Sequence, residues 1–492
     1  MIVGLAGRSA WAGPEEDLPD PPVAASPPPA PPVKPAPPGA GAPAKPEAAP
    51  MPKPLATPLA TPPVEPGPVP WPTVPGAGPA PPPPASVAPV TSPAPAPSPV
   101  PGAAAPLSAK PARRVETSVG AWGQATLTLD RDRAVAFSVP WLAAWFEHRP
   151  TPWLRLYAAA ELEELHHIGV EQAFVEIAPH PAFGLRAGLL LLPLGIINQW
   201  HVPTTFLTVE RPLTDLLIIP TTWREVGAAL YGALGAYARY QLQIAAGLDA
   251  AGFSAAAPLW GGRGNGSALA AHDAAFVGRL ELGGAGAGPA LGGGGYWGGA
   301  SGGQPELAGV SVGVVELDAR FRGGGFDFRA EAAELFIVNS YKVNDDLGLL
   351  GQDQVPARGR GFYAQVGYDV LSLGALPAGQ ELVFFAGYEN VNPRSRMSPY
   401  NFNPGAISAP GQLPPDAPSR PKSFVRGGID YRPAAWVALK VDVRVALSEE
   451  ELIPATPVTV MNAPGTPRPL PSWVAESARG KTLVGFAAAF SF

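Results

Sequence analysis

With 492 residues, 34 of them basic and 40 acidic, the chain is long enough for one large core or several smaller ones and offers no polycationic face for nucleic acid. It contains no cysteine, which removes disulfides, zinc-thiolate sites and thiol nucleophiles together. Its 67 prolines, 57 glycines and 15% charged residues exclude a helical globular protein, and its longest apolar run, Leu189 to Ile197, falls well short of the roughly 20 residues of a membrane helix.

Residues 1–12 end in Ala10-Trp11-Ala12 before Gly13, the small-x-small form of a cleavage site. They read either as the remnant of a signal peptide or as a nondescript N-terminus. Residues 13–115 hold 38 of the prolines, mixed with Ala, Val, Ser and Thr, and show no pattern that could bury a face. We expect this linker to be disordered with polyproline II character, because proline supplies no amide donor for a ladder. At about 3.1 Å per residue it could reach roughly 300 Å, enough to cross a periplasm. It is either a tether to peptidoglycan or a periplasmic partner, or a plain spacer.

From residue 116 to 492 the pattern predicts an all-β fold, a transmembrane antiparallel β-barrel of about sixteen strands. Strands are expected to start near 116, 134, 152, 170, 183, 224, 236, 274, 291, 308, 325, 361, 379, 422, 436 and 481. Pro140 is the one proline inside a predicted strand; the other 28 of this half fall in connections or at strand starts. Alternation is cleanest in Trp436 to Leu447. Val437, Leu439, Val441, Val443 and Val445 share one parity there, and Lys440, Asp442 and Arg444 the other.

Alternation alone fits a β-sandwich as well as a membrane barrel. Connection length separates them. The even-to-odd connections are short, whereas 192–223, 250–273, 338–360, 391–421 and 448–480 are long, the asymmetry of tight periplasmic turns against extracellular loops. The chain then closes on Lys481 to Phe492, with Val484, Phe486, Ala488, Phe490 and Phe492 on one face.

That last strand resembles the assembly signal of bacterial outer-membrane barrels, which implies a barrel-assembly machinery as partner and outer-membrane lipid as surroundings. A second resemblance lies in Phe174-Val-Glu-Ile177, Phe183-Gly-Leu-Arg-Ala-Gly188, Leu192-Pro-Leu-Gly-Ile-Ile-Asn198, Glu210-Arg-Pro212 and Thr222-Trp-Arg-Glu-Val-Gly227. These segments look like the phosphate-selective porin O and P family. The resemblance implies sixteen strands, a trimer, and a constriction loop folded into a lumen lined by cations. The expected activity is passive diffusion of small hydrophilic solutes, anions such as phosphate among them.

Loop 192–223 is unusually apolar, which itself predicts packing inside the barrel. Its candidate constriction groups are His201, Glu210, Arg211 and Asp215, with Arg224 at its end; each either pins the loop to the wall or faces the solute. The expected lumen cations are Arg155, Arg186, Arg239, Arg279, Arg320, Arg329, Arg426, Lys440 and Arg444. Glu161, Glu176, Asp249, Glu281, Asp318, Asp327, Asp369, Asp430 and Asp442 share their parity, so the sign of selectivity does not follow from counting.

Gly309-Val-Ser-Val-Gly313 has the spacing of a nucleophile elbow but is expected within a strand, without the strand-to-helix turn that motif needs. Gly293 to Gly298 has dinucleotide-loop spacing with no following helix. Glu163, Glu164, His166 and His167 crowd a short loop, where exposed charge is the commoner reading than a metal site. We therefore expect no enzyme, cofactor or metal. The competing reading is an anchoring protein whose proline-rich arm, in the periplasm, ties the envelope together.

Overall fold

The computed structural model describes residues 115–130, 135–165, 167–266, 273–283, 288–374, 379–399, 418–447, 459–463, 466–469 and 482–492. The expected signal remnant and proline-rich linker lie outside them.

The first strands are β1 (Glu116–Asp130), β2 (Ala136–Thr151), β3 (Leu154–Glu163), β4 (His167–His180) and β5 (Phe183–Leu191). They are followed by β6 (Arg224–Leu234), β7 (Ala238–Ala246), β8 (Ala274–Gly283), β9 (Gly288–Gly299) and β10 (Ser311–Gly323). Next come β11 (Phe326–Val338), β12 (Arg358–Asp369), β13 (Glu381–Arg396), β14 (Lys422–Ala434) and β15 (Val437–Ala446). Three remain: β16 (Thr459–Ala463), β17 (Thr466–Pro469) and β18 (Leu483–Ser491). Strands β1 to β15 and β18 form one closed barrel of sequential neighbours, with β18 joining β15 to β1, so the expected sixteen strands are found. The hairpin β16–β17, in the last long connection, was not expected from the sequence.

Closure is complete down to the final residue. Ala121 and Phe492 exchange both backbone hydrogen bonds at 2.9 Å, so neither edge is left open. Six prolines lie in barrel strands, not Pro140 alone: β2, β4, β13 and β14 run on to include Pro150, Pro179, Pro393 and Pro433, and Pro289 is the second residue of β9. Pro289 sits at a strand start, and each of the other five sits at a break in register: Pro140 between β1 and β2, Pro150 between β2 and β3, Pro179 between β4 and β5, Pro393 between β12 and β13, Pro433 between β14 and β15. A residue with no N–H is tolerated where the ladder already skips a bond.

The wall separates two media. One parity presents exposed Leu156, Val175, Leu242, Leu317, Val441 and Phe486 outward; the other buries Arg155, Glu176, Gln243, Asp318, Asp442 and Ala487. A polar interior beneath an apolar exterior is the membrane-barrel arrangement, the inverse of a globular fold. Turns at one end are brief, as at Pro152-Trp153, Pro181-Ala182, Gly324-Gly325 and Ala435-Trp436, while 192–223 and 339–357 connect strands at the other. Gly309 and Val310 precede β10, so the elbow-like motif straddles a turn and a strand start instead of lying within the strand. His166 lies outside the described residues.

Candidate functional site

The loop between β5 and β6 occupies the lumen because it is too apolar for water. Leu192, Leu194, Leu207, Val209, Leu213, Ile218, Ile219 and Trp223 have no accessible surface. Much of the loop joins Val277, Tyr296, Val312, Val314, Leu335 and Ile337 of β8 to β11 in one interior cluster. At roughly 1.5–3 kcal/mol per large side chain, this burial is worth more than about 10 kcal/mol gross. Only short turns of helix form here, α1 (Ile196–Gln199), a 3-10 turn at Pro203–Thr205 and α2 (Thr214–Leu217), so most backbone groups of the loop need partners from elsewhere.

The wall supplies them. Carboxylates accept from the loop's amides: Glu331 from Ile196 at 2.7 Å, Asp442 from Val209 at 2.8 Å and Glu389 from Leu213 at 3.1 Å. Cations donate to its carbonyls: Arg329 to Thr205 at 2.6 Å, Arg426 to Glu210 at 2.8 Å, and Lys440 Nζ to Pro203 and Phe206 at 2.6 Å and Thr208 at 3.1 Å. Gln124 donates to the Val209 carbonyl at 2.8 Å. Asn198 ties the neck, donating to Leu192 and Trp223 carbonyls and accepting from the Trp223 amide at 2.6 Å.

The five constriction candidates are placed as follows. His201 is buried, paired with Glu171 and edge-on to Trp122. A bulge in β4 opposite Ala159 and Ala160 makes this possible by re-aiming Glu171. Arg211 lies over the Trp141 ring at 4.3 Å and donates to Thr221 O. Arg224 donates to Glu161 at 3.2 Å, and Glu210 receives Arg444 at 3.2 Å. Asp215 is wholly buried. Burial and the nearby Glu331 push its carboxyl well above the usual range, against the pull of Arg211.

An acid whose folded pKa exceeds its unfolded value binds more protons when folded. Its contribution is therefore fully present below the unfolded value of 3.8 and is lost as the pH rises toward the raised folded value. Asp215→Asn should flatten that decline, raising the thermal midpoint measured at pH 8 and leaving it unchanged near pH 3.

The nine wall cations all have partners, so they do not stand as a bare anion ladder. Glu147, Arg155, Glu176 and Arg186 run as a chain across β2 to β5. Arg279 on β8 reaches over β9 to Glu316 and Asp318 on β10, and Arg239 and Arg320 both meet Glu281. Glycine makes that reach possible. A Cβ at Gly292 would come within 2.2 Å of both the Arg279 guanidinium and the Asp318 carboxylate, and one at Gly294 within 2.6 Å of Glu316. Arg329 pairs with Asp327 at 2.8 Å, Arg426 lies 3.8 Å from Glu389, and Arg444 meets Glu210.

A second inward segment escapes sequence reasoning. Leu248, Phe253, Ala256, Ala257, Leu259 and Trp260, between β7 and β8, join the same interior cluster. Arg263 clamps this segment to the first loop by donating to the carbonyls of Pro220 at 2.7 Å and Thr222 at 3.1 Å. Burial, with Arg224 close by, lowers its pKa to about 9. The wall residues Glu389 and Gln124 also went unnamed, although their inward parity was available. No group of His, Asp and Glu that could hold a metal ion occurs among the described residues.

No family model matches the chain. A protein of Aquifex aeolicus (strain VF5), named "Uncharacterized protein", is 30% identical over 354 residues, covering 66% of this chain and 74% of that one. Among solved structures, Salmonella typhi OmpF in complex with daunomycin is similar with TM-score 0.48 at 10% identity, over 76% of this chain and 97% of that chain. The anion-selective porin from Comamonas acidovorans gives TM-score 0.45 at 9% identity, over 77% and 100%. The outer membrane channel DcaP of Acinetobacter baumannii gives 0.41 at 10% identity, over 77% and 97%.

Proposed function

The chain belongs to the family of the Aquifex aeolicus protein, and from its lumen we propose that it is an outer-membrane porin for passive diffusion of small hydrophilic solutes. The observation that carries this reading is a closed sixteen-stranded barrel with a charged inner wall, into which a long loop is folded and held. A barrel of this strand number is too wide for wall side chains alone to fill, so the inward loop sets the bore. The terminal strand ending in Phe492 is the segment offered to the barrel-assembly machinery, and a homotrimer is the expected assembly.

Anion preference is the finer part of the proposal, and the short-turn mouth supports it. Arg149, Arg239, Arg320 and Arg322 keep 36, 22, 21 and 50% of their side-chain surface. Their partners Glu147, Glu281 and Glu381 keep 10, 6 and 32%. Cations are therefore the more accessible charges where solute would leave the barrel. Arg211, Arg224 and the other constriction candidates act in this reading mainly by holding the loop.

Planar-bilayer recording of the purified protein should give discrete conductance steps and, under a salt gradient, a reversal potential of anion-selective sign. Removing residues 14–111 should leave the steps intact. A closed barrel would end the porin proposal, and a cation-selective reversal would end its anion part. Loss of an envelope phenotype on that deletion, with conductance absent throughout, would favour the anchoring alternative.

A further inference from the structure

Three arginines on the outer wall face the wrong way for a pore. Arg358 and Arg360 share the outward parity of β12 with Phe362 and Val366, next to the long connection 339–357. Arg396 of β13 is exposed and stands directly opposite Arg358 in the register. Like charges in cross-strand register repel, and among the described residues Glu334 is the one carboxylate paired here, at 3.5 Å from Arg358. Three cations against one anion leave a local charge of +2 on a face that is otherwise apolar.

Below them the wall is indented. A groove of about 1320 Å³ crosses β7 to β13, with Arg360 and Glu334 among its lining residues. Its floor is Gly278 and Gly293, and Gly295 lies in register with Gly278 beside them. Leu280 and Leu317 flank Gly293 on either side, and Phe362 stands beyond. The glycines of β9 thus serve two faces: inward they admit the Arg279 ion pairs, outward they open this trough.

We propose that the trough and its arginines bind a phosphorylated, multiply acylated lipid of the outer leaflet. Acyl chains lie in the glycine-floored groove, and a headgroup phosphate bridges Arg358, Arg360 and Arg396. An anion between guanidinium groups relieves their repulsion and takes up forked hydrogen bonds that Lys could not match. Near the membrane boundary outward charges cost little, about 0–1 kcal/mol each, so the cluster is tolerated before lipid arrives. The proposal rests on the membrane placement above and not on conductance; a non-conducting barrel that still holds the lipid would sink only the porin reading.

The test is lipid retention by the full-length protein in detergent, followed by native mass spectrometry during titration with a bisphosphorylated acylated glucosamine disaccharide. The same lipid without phosphates and inorganic phosphate alone are the comparison probes. The triple variant Arg358→Ser, Arg360→Ser, Arg396→Ser should bind roughly tenfold more weakly or worse. Gly293→Leu fills the floor, its Cβ meeting the flexible end of Leu317 at 2.9 Å and the Glu316 carbonyl at an ordinary 3.5 Å, and should weaken the lipid without altering inorganic phosphate. Should the triple variant not assemble, Arg396→Gln carries the charge arm. Equal binding of the phosphate-free lipid, or unchanged binding by both variants, would overturn the proposal; so would full competition by inorganic phosphate, which would reassign the cluster as a free-phosphate site.

Discussion

Replacing Lys440 by methionine should raise single-channel conductance by roughly twofold or more while leaving the strand pairing of the barrel intact. Lys440 is 1% exposed and its ammonium sits among the carbonyls of Pro203, Phe206 and Thr208, with the Phe206 ring 4.1 Å away. Methionine preserves length and apolar bulk but donates nothing. Each carbonyl stranded in a dry site costs about 1–3 kcal/mol, so segment 203–208 gains more by leaving the wall and taking water than by staying. The ladder is untouched, because β15 keeps its backbone pairing to β14 and β18. Conductance steps indistinguishable from wild type would show that the loop is held without this residue. A narrower pore would show that the freed loop collapses across the lumen.

The sequence reaches Lys440 only halfway. Its parity within Trp436 to Leu447 places it inward, and loop 192–223 has the same limits in the sequence reading and in the barrel. Both inferences depend on local signals, period-two alternation and apolar content, that survive without coordinates. What a wall side chain touches across the lumen is a different matter. Lys440 and Thr208 are 232 positions apart, and no local pattern couples them. The inward segment after β7 was missed for a related reason: Ala255 to Ala257 and Gly261-Gly262 look like ordinary solvated loop, yet they are buried, and Ala256 and Ala257 join the interior cluster that holds the first loop. Gly292 and Gly294 read as weakness in a strand until Arg279 is seen crossing above them.

That crossing predicts the largest loss of stability. Arg279, Arg239 and Arg320 face Glu281, Glu316 and Asp318, three charges against three, and Glu316 and Asp318 have no exposed side-chain surface. Arg279→Met leaves those two carboxylates buried with one cation fewer than they need, and breaking a buried pair by removing one partner costs about 3–5 kcal/mol. Assembly yield and the urea midpoint of the barrel should both fall. Adding Glu316→Gln restores the balance and should recover much of the midpoint, since the two residues meet directly at 2.5 Å and their substitutions are not additive. The same Gln change alone should destabilise, because it leaves Arg279 short of one carboxylate. A midpoint for Arg279→Met equal to wild type would mean that water reaches Glu316 and Asp318. In that case the saddle over β9 is part of the open channel and not of its wall.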